Sequence, residues 1–101
     1  MAYLVVGIMN ATGEQRNELN EYLATIGGYW HWMPDLWLVN TNGDEDPAEV
    51  RDAIHAQHPT LVCLVLKLDL PEGRRNWAGS FPTNEVDKWA DWLNEFWKRG
   101  V

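Results

Sequence analysis

The run from Gly28 to Thr41, GYWHWMPDLWLVNT, constrains the fold more than any other stretch of the chain. Before Pro34-Asp35, Tyr29, His31 and Met33 alternate with Trp30 and Trp32; after it, Leu36 and Leu38 alternate with Trp37 and Val39. A period of two places successive side chains on opposite faces of a strand. Pro-Asp belongs in a turn. The run therefore predicts a β-hairpin. Three of the chain's seven tryptophans lie in it, and the expectation is an aromatic face that builds both core and subunit interface.

The flanking segments supply the partners such a hairpin needs. Tyr3–Met9 (YLVVGIM) is β-branched and aromatic and reads as a strand rather than a signal peptide. Thr12-Gly-Glu-Gln15 is a capping box, and Leu19, Tyr22, Leu23 and Ile26 follow at helical spacing up to Gly27-Gly28. Asp46-Pro47-Ala48-Glu49 starts a second helix with Asp at the cap and Pro in the first turn; His58-Pro59 ends it. Leu61–Leu68 (LVCLVLKL) is almost continuously apolar and predicts a strand covered on both sides or central in the sheet.

The order β-α-β-β-α-β predicts an α+β fold: an antiparallel four-stranded sheet with both helices on one face, the ferredoxin-like plan. A single domain is expected over residues 1–101, with about 69–101 forming a C-terminal loop and helix. Thr83 is placed as that helix's cap, with Val86, Trp89, Ala90, Leu93, Phe96 and Trp97 as its apolar stripe and Trp92 off it. Two helices leave the other sheet face open, so a tail helix, a second subunit or a partner must cover it.

Composition narrows the function. Fifteen acids against eight Lys and Arg give a net charge of −7, a poor supply of cations for neutralising phosphates. Nucleic acid is thus a disfavoured partner. No apolar run reaches the ~18–20 residues of a membrane span. The single Cys63, inside a strand-like run, rules out a disulfide framework, suits a reducing cytoplasm and is expected to be a buried, inert thiol.

Few residues suggest chemistry. His55 and His58 near Asp52 have zinc-compatible spacing but also fit a solvated helix end. His31 is either a general base or a half-buried, hydrogen-bonded imidazole. Ser80 lacks a nucleophile-elbow context, and the glycines form no phosphate-binding fingerprint. Arg74-Arg75-Asn76-Trp77 joins cations to an aromatic ring, which suits gripping a single strand or a phosphate. A loop whose Trp tucks under the last helix, or a protein interface, suits it better. The acidic stretches 44–46 and 85–95 read as helix starts and a solvated face, or as an attraction for a basic partner.

The order of Trp30-His31, Trp37-Leu38-Val39, AEVRDAI from Ala48, LVCLVLKL from Leu61, NWAG from Asn76 and VDKWADWL from Val86 resembles the SinR-like family of small bacterial and phage proteins. The likeness runs from Tyr3 to about Trp97. It implies a ferredoxin-like fold akin to the small CRISPR adaptation endonucleases and related toxin or antitoxin proteins. It also implies a homodimer packed through the open sheet face and the C-terminal segment. The nuclease branch carries an acidic residue near the end of strand one; the matching position here is Ile8, within Gly7-Ile8-Met9-Asn10. A divalent metal needs hard oxygen ligands, and Asn10 is a neutral one.

These observations read as a non-catalytic, homodimeric, cytoplasmic protein-interaction module, with a regulatory or defence-related role of antitoxin or inhibitor type. The residues expected to bind are Trp30, Trp32, Arg74, Arg75, Trp77, Phe81 and Trp92; no catalytic residue, metal or cofactor is assigned. The alternative is a divalent-metal-dependent endonuclease acting on RNA or DNA, drawing on Asn10 with Asp35 or Asp69. A third reading is a single-strand or nucleotide binder using Arg74, Arg75 and Trp77.

Overall fold

A computed structural model describes residues 2–69 and 77–97. The chain divides into two compact units, Met1–Leu68 and Asp69–Val101, and the boundary falls where the sequence sets its tail apart.

The first unit runs β1 (Tyr3–Met9), α1 (Gly13–Ile26), β2 (Gly27–Met33), β3 (Leu36–Thr41), α2 (Pro47–Gln57) and β4 (Val62–Leu68). Its strands form one antiparallel sheet in the order β2-β3-β1-β4. Both helices begin where their capping residues stand. The Thr12 hydroxyl accepts the Gln15 N–H at 3.1 Å, and Gln15 Oε1 accepts the Thr12 N–H at 2.9 Å, which satisfies two donors that a helix start leaves bare. Asp46 Oδ1 accepts the Ala48 N–H at 2.7 Å, and Pro47 opens α2.

The core occupies one face of the sheet. Leu4, Val6 and Ile8 of β1 and Trp37 and Val39 of β3 alternate toward it and meet Leu19 and Leu23 of α1 and Val50 and Ile54 of α2. Both helices therefore cover the same face. Trp37 is fully buried, and its indole N–H donates to Asn20 Oδ1 at 3.2 Å. Truncating a side chain of that size in a packed core costs about 3–5 kcal/mol.

Several sequence expectations are corrected. β4 is an edge strand and is bare on one face: Val62, Leu64 and Leu66 are 56%, 63% and 45% exposed. Its apolar continuity misled because Cys63 and Val65 serve the core while the residues between them serve the opposite face. Cys63 itself is half-buried rather than buried. In β2 the register shifts between Trp30 and Met33, so Tyr29 pairs with Val39 on the core side whereas Met33 pairs with Leu36 on the other. A bulge inserts a residue and breaks the period of two. Trp30 and Trp32 thus do not form the simple alternating face the sequence predicts. Gly27 both ends α1 and begins β2. A Cβ there would collide with the Asn40 carbonyl of β3, so close backbone approach, not an unusual dihedral, requires the glycine. His58 is only 6% exposed, not solvated. It caps the end of α2, donating its backbone N–H to the Ile54 carbonyl at 2.8 Å, and its Nε2 lies 3.5 Å from Glu18 of α1.

In the second unit, α3 spans Val86–Phe96. It starts after Thr83, because a turn in which Glu85 N–H bonds the Pro82 carbonyl at 2.9 Å precedes it. Leu93 and Trp97 are buried, while Val86 and Phe96 of the expected stripe are exposed. No described helix is long and apolar enough to cross a membrane.

Candidate functional site

The sheet face opposite the helices is the surface that sets this chain apart. Cross-strand registers arrange it in rows. Met33, Leu36, Gly7 and Leu64 form one row across β2, β3, β1 and β4. Trp30, Leu38, Val5 and Leu66 form the next. Gly28, Asn40, Tyr3 and Leu68 follow, and Met9 pairs with Val62 at the other end. No acidic or basic residue stands in any row, although the whole chain carries a net charge of −7. Met9, at 54% exposed, joins the exposed β4 residues in one apolar corner, while Met33, at 44% exposed, lies on β2 at the opposite edge of the sheet. Contiguous exposed apolar surface is uncommon on small soluble proteins.

Gly7 leaves that corner without a side chain at its position. A Cβ built on it meets nothing within 4 Å, and its neighbours across the sheet are Leu36 and Leu64. The charges bordering β4 are held in ion pairs. Lys67 Nζ lies 2.7 Å from Asp44, and Arg51 lies 2.8 Å from Asp52. The Lys67 ammonium, through its hydrogen bond, lowers the Asp44 pKa, and Asp44 raises that of Lys67.

A groove between α2 and β4, about 480 Å³ in volume at its wider part, is lined by Arg51, Asp52, His55 and Cys63 among others. Burial pushes the Cys63 thiol up, and the nearby Arg51 pulls it down less strongly. A thiol so protonated at neutral pH is a poor nucleophile.

The residues considered for catalysis are dispersed. Ile8, expected from the resemblance to match an acidic position, is 8% exposed and packs in the core. Asn10 is exposed and adopts φ 58°. Asp35 spends its carboxylate on Arg16 Nε at 2.9 Å. Asp69 is exposed, beyond the end of β4. Among the described residues no group of three His, Cys, Asp or Glu is placed to hold a metal ion. His31 Nδ1 lies 2.9 Å from the Leu36 carbonyl. A carbonyl only accepts, so Nδ1 carries the proton. The ring stacks on Trp37 at 4.0 Å and 5°, which anchors it structurally.

The residues expected to bind are not brought to one place. Trp30 lies in the charge-free face and is buried; Trp32, in the bulge, is partly exposed. Arg74 and Arg75 lie outside the described residues. In the second unit Trp77 leans on Phe81 at 6.1 Å and Phe81 on Trp89 of α3 at 5.5 Å, so Trp77 tucks into an aromatic chain leading to the last helix. Trp92 contacts Phe96 at 5.7 Å and Trp97 at 6.1 Å and is half-buried. Sequence reasoning missed the β4 surface. Alternate residues of Val62–Leu68, read as a one-sided strand, would have revealed it.

Fold and surface together define a small α+β protein built around an antiparallel sheet whose face opposite the helices carries no charged residue. Comparison of the chain with protein-family models, with curated proteins and with solved structures gives no match.

Proposed function

We propose that this chain is a non-catalytic protein-interaction module that acts as a homodimer through its uncharged sheet face. One observation carries the reading: the face opposite the helices holds no charge in a strongly acidic chain, and a corner of it is exposed and apolar. Exposed apolar surface gains free energy when it is removed from water, and an acidic chain associates with least repulsion where it carries no charge.

The strand order and the placement of both helices on one face support a ferredoxin-like assignment. With that plan, the resemblance to SinR-like proteins favours a regulatory or defence-related role of antitoxin or inhibitor type in the cytoplasm. The apolar surroundings of Ile8 and the Arg16–Asp35 pair favour a non-catalytic protein over an endonuclease.

The test is incubation of the purified chain with RNA and single-stranded DNA in Mg²⁺ or Mn²⁺, alongside capture of tagged protein before and after nuclease digestion. The reading expects no metal-dependent cleavage and protein contacts that survive digestion. Cleavage that needs the metal and disappears in Asn10→Ala or Asp69→Ala would overturn it.

A further inference from the structure

Beyond that reading, we infer that the free edge of β4 takes up an extended segment of another protein as a fifth strand, one in which apolar and basic side chains alternate. The site is separate from a sheet-face dimer and does not depend on one.

β4 ends the sheet order β2-β3-β1-β4, so β1 is its single strand neighbour among the described residues. An edge strand leaves every second N–H and C=O pointing outward, a template for another extended chain. The two edges of this sheet differ. β2 carries a register shift between Trp30 and Met33, and a bulge of that kind blunts an edge. β4 pairs with β1 without a break from Val62 opposite Met9 to Leu68 opposite Tyr3, and it contains neither proline nor glycine. Its one charged residue, Lys67, is held by Asp44 at 2.7 Å. β4 is thus the edge left open to pairing.

The side chains beside that edge state what the added strand carries. On the open face Val62, Leu64 and Leu66 are exposed, and an apolar residue at every second position of the incoming strand lies beside them and removes them from water. The other face of β4 borders the groove beside α2, lined in part by Asp46, Arg51, Asp52 and His55. Acids are in excess there. Arg51 is paired with Asp52 and Lys67 with Asp44. Glu45 and Asp46 also act on Lys67, yet neither forms an ion pair among the described residues. Lysine or arginine at the intervening positions supplies the missing charge. A second copy of β4 would instead set this acidic rim against itself.

The test uses the full chain and synthetic peptides as long as β4, so no variant has to fold. The probe alternates valine with lysine; fluorescence anisotropy reads its affinity and amide hydrogen exchange locates it. Saturable binding is expected, with exchange slowed at the outward amides of β4 and unchanged in β2. Replacing every lysine by glutamate is expected to weaken binding by about tenfold or more. N-methylation of the amides along one edge of the peptide should abolish binding, and along the other it should be tolerated, because a strand added at an edge pairs through one side only. No binding at millimolar peptide, equal affinity for the glutamate peptide, equal effects of the two N-methylated sets, or binding that leaves the β4 amides unprotected would overturn the proposal. The chain's own oligomeric state, measured without peptide, decides the sheet-face reading independently of these outcomes.

Discussion

Ile8 donates its backbone N–H to the carbonyl of Asp35 at 3.0 Å while its side chain lies in the core. The turn of the β2–β3 hairpin is thereby tied to the end of β1, and the Ile8 side chain faces hydrocarbon. A carboxylate placed there would be desolvated without a partner. Ile8→Asp should therefore destabilise the fold by about 3–5 kcal/mol, the range for an uncompensated buried charge. Millimolar Mg²⁺ should not restore it. Urea unfolding with and without the metal checks this, and Mg²⁺-dependent recovery would speak for a latent metal site.

Two of the strand glycines, Gly7 and Gly27, should behave oppositely. A Cβ on Gly27 runs into the Asn40 backbone, whereas one on Gly7 meets open space. Backbone cannot step aside as a flexible side chain can. Gly27→Ala is expected to cost about 1–3 kcal/mol, and Gly7→Ala to be neutral or stabilising by up to about 1 kcal/mol, because the unfolded chain loses freedom. Thermal unfolding of the two variants decides it; equal effects would contradict the account.

Helix starts offer a smaller, cleaner measurement. Thr12→Ala removes the hydroxyl that accepts the Gln15 N–H, and Asp46→Ala removes the carboxylate that accepts the Ala48 N–H. Each should lower stability by about 1 kcal/mol. The sites belong to different helices, so the double variant should lose close to the sum.

Cys63 gives a pH prediction. Burial holds its thiol pKa above the ordinary value, against a weaker opposing pull from Arg51. Above the ordinary thiol pKa the unfolded chain releases this proton before the folded one does. Its contribution to stability is therefore fully present below that pH and is lost as pH rises through the higher folded value. Tyr22, raised chiefly by burial and further by Glu45 and Glu49, adds the same slope at higher pH. Cys63→Ala should flatten the first part of the decline in urea midpoint between neutral and alkaline pH. Alkylation of Cys63 in the folded chain should also run slower than that of a free thiol at the same pH.

Much of this fold was legible in the sequence because local chemistry decides it. Thr12 with Gln15 and Asp46 with Pro47 fix where helices begin, and the alternation of Leu36–Val39 fixes which residues of β3 face the core. What stayed hidden depends on pairing between distant segments. Nothing near Val62–Leu68 says that it has only β1 as a neighbour, so an apolar run looked like a strand enclosed on both sides. The β2 bulge depends on how Trp30 and Met33 meet β3, and the burial of His58 on where α1 places Glu18. The site was legible only in outline. The demand for something to cover the open face followed from counting helices, but the emphasis on tryptophan drew attention from Gly7, Leu64 and Leu66, which carry the exposed corner.

The central claim is that the uncharged face binds a second copy, and sedimentation equilibrium of the wild type beside Leu66→Lys tests it most directly. Leu66 is 45% exposed on β4, the edge strand of that face, so the lysine should leave the fold intact while placing a charge on the face. The account predicts that the wild type approaches twice the 11.7 kDa chain mass with rising concentration, and that Leu66→Lys stays near the mass of one chain. A wild type that remains at one chain throughout, or a lysine variant that associates equally well, would contradict it.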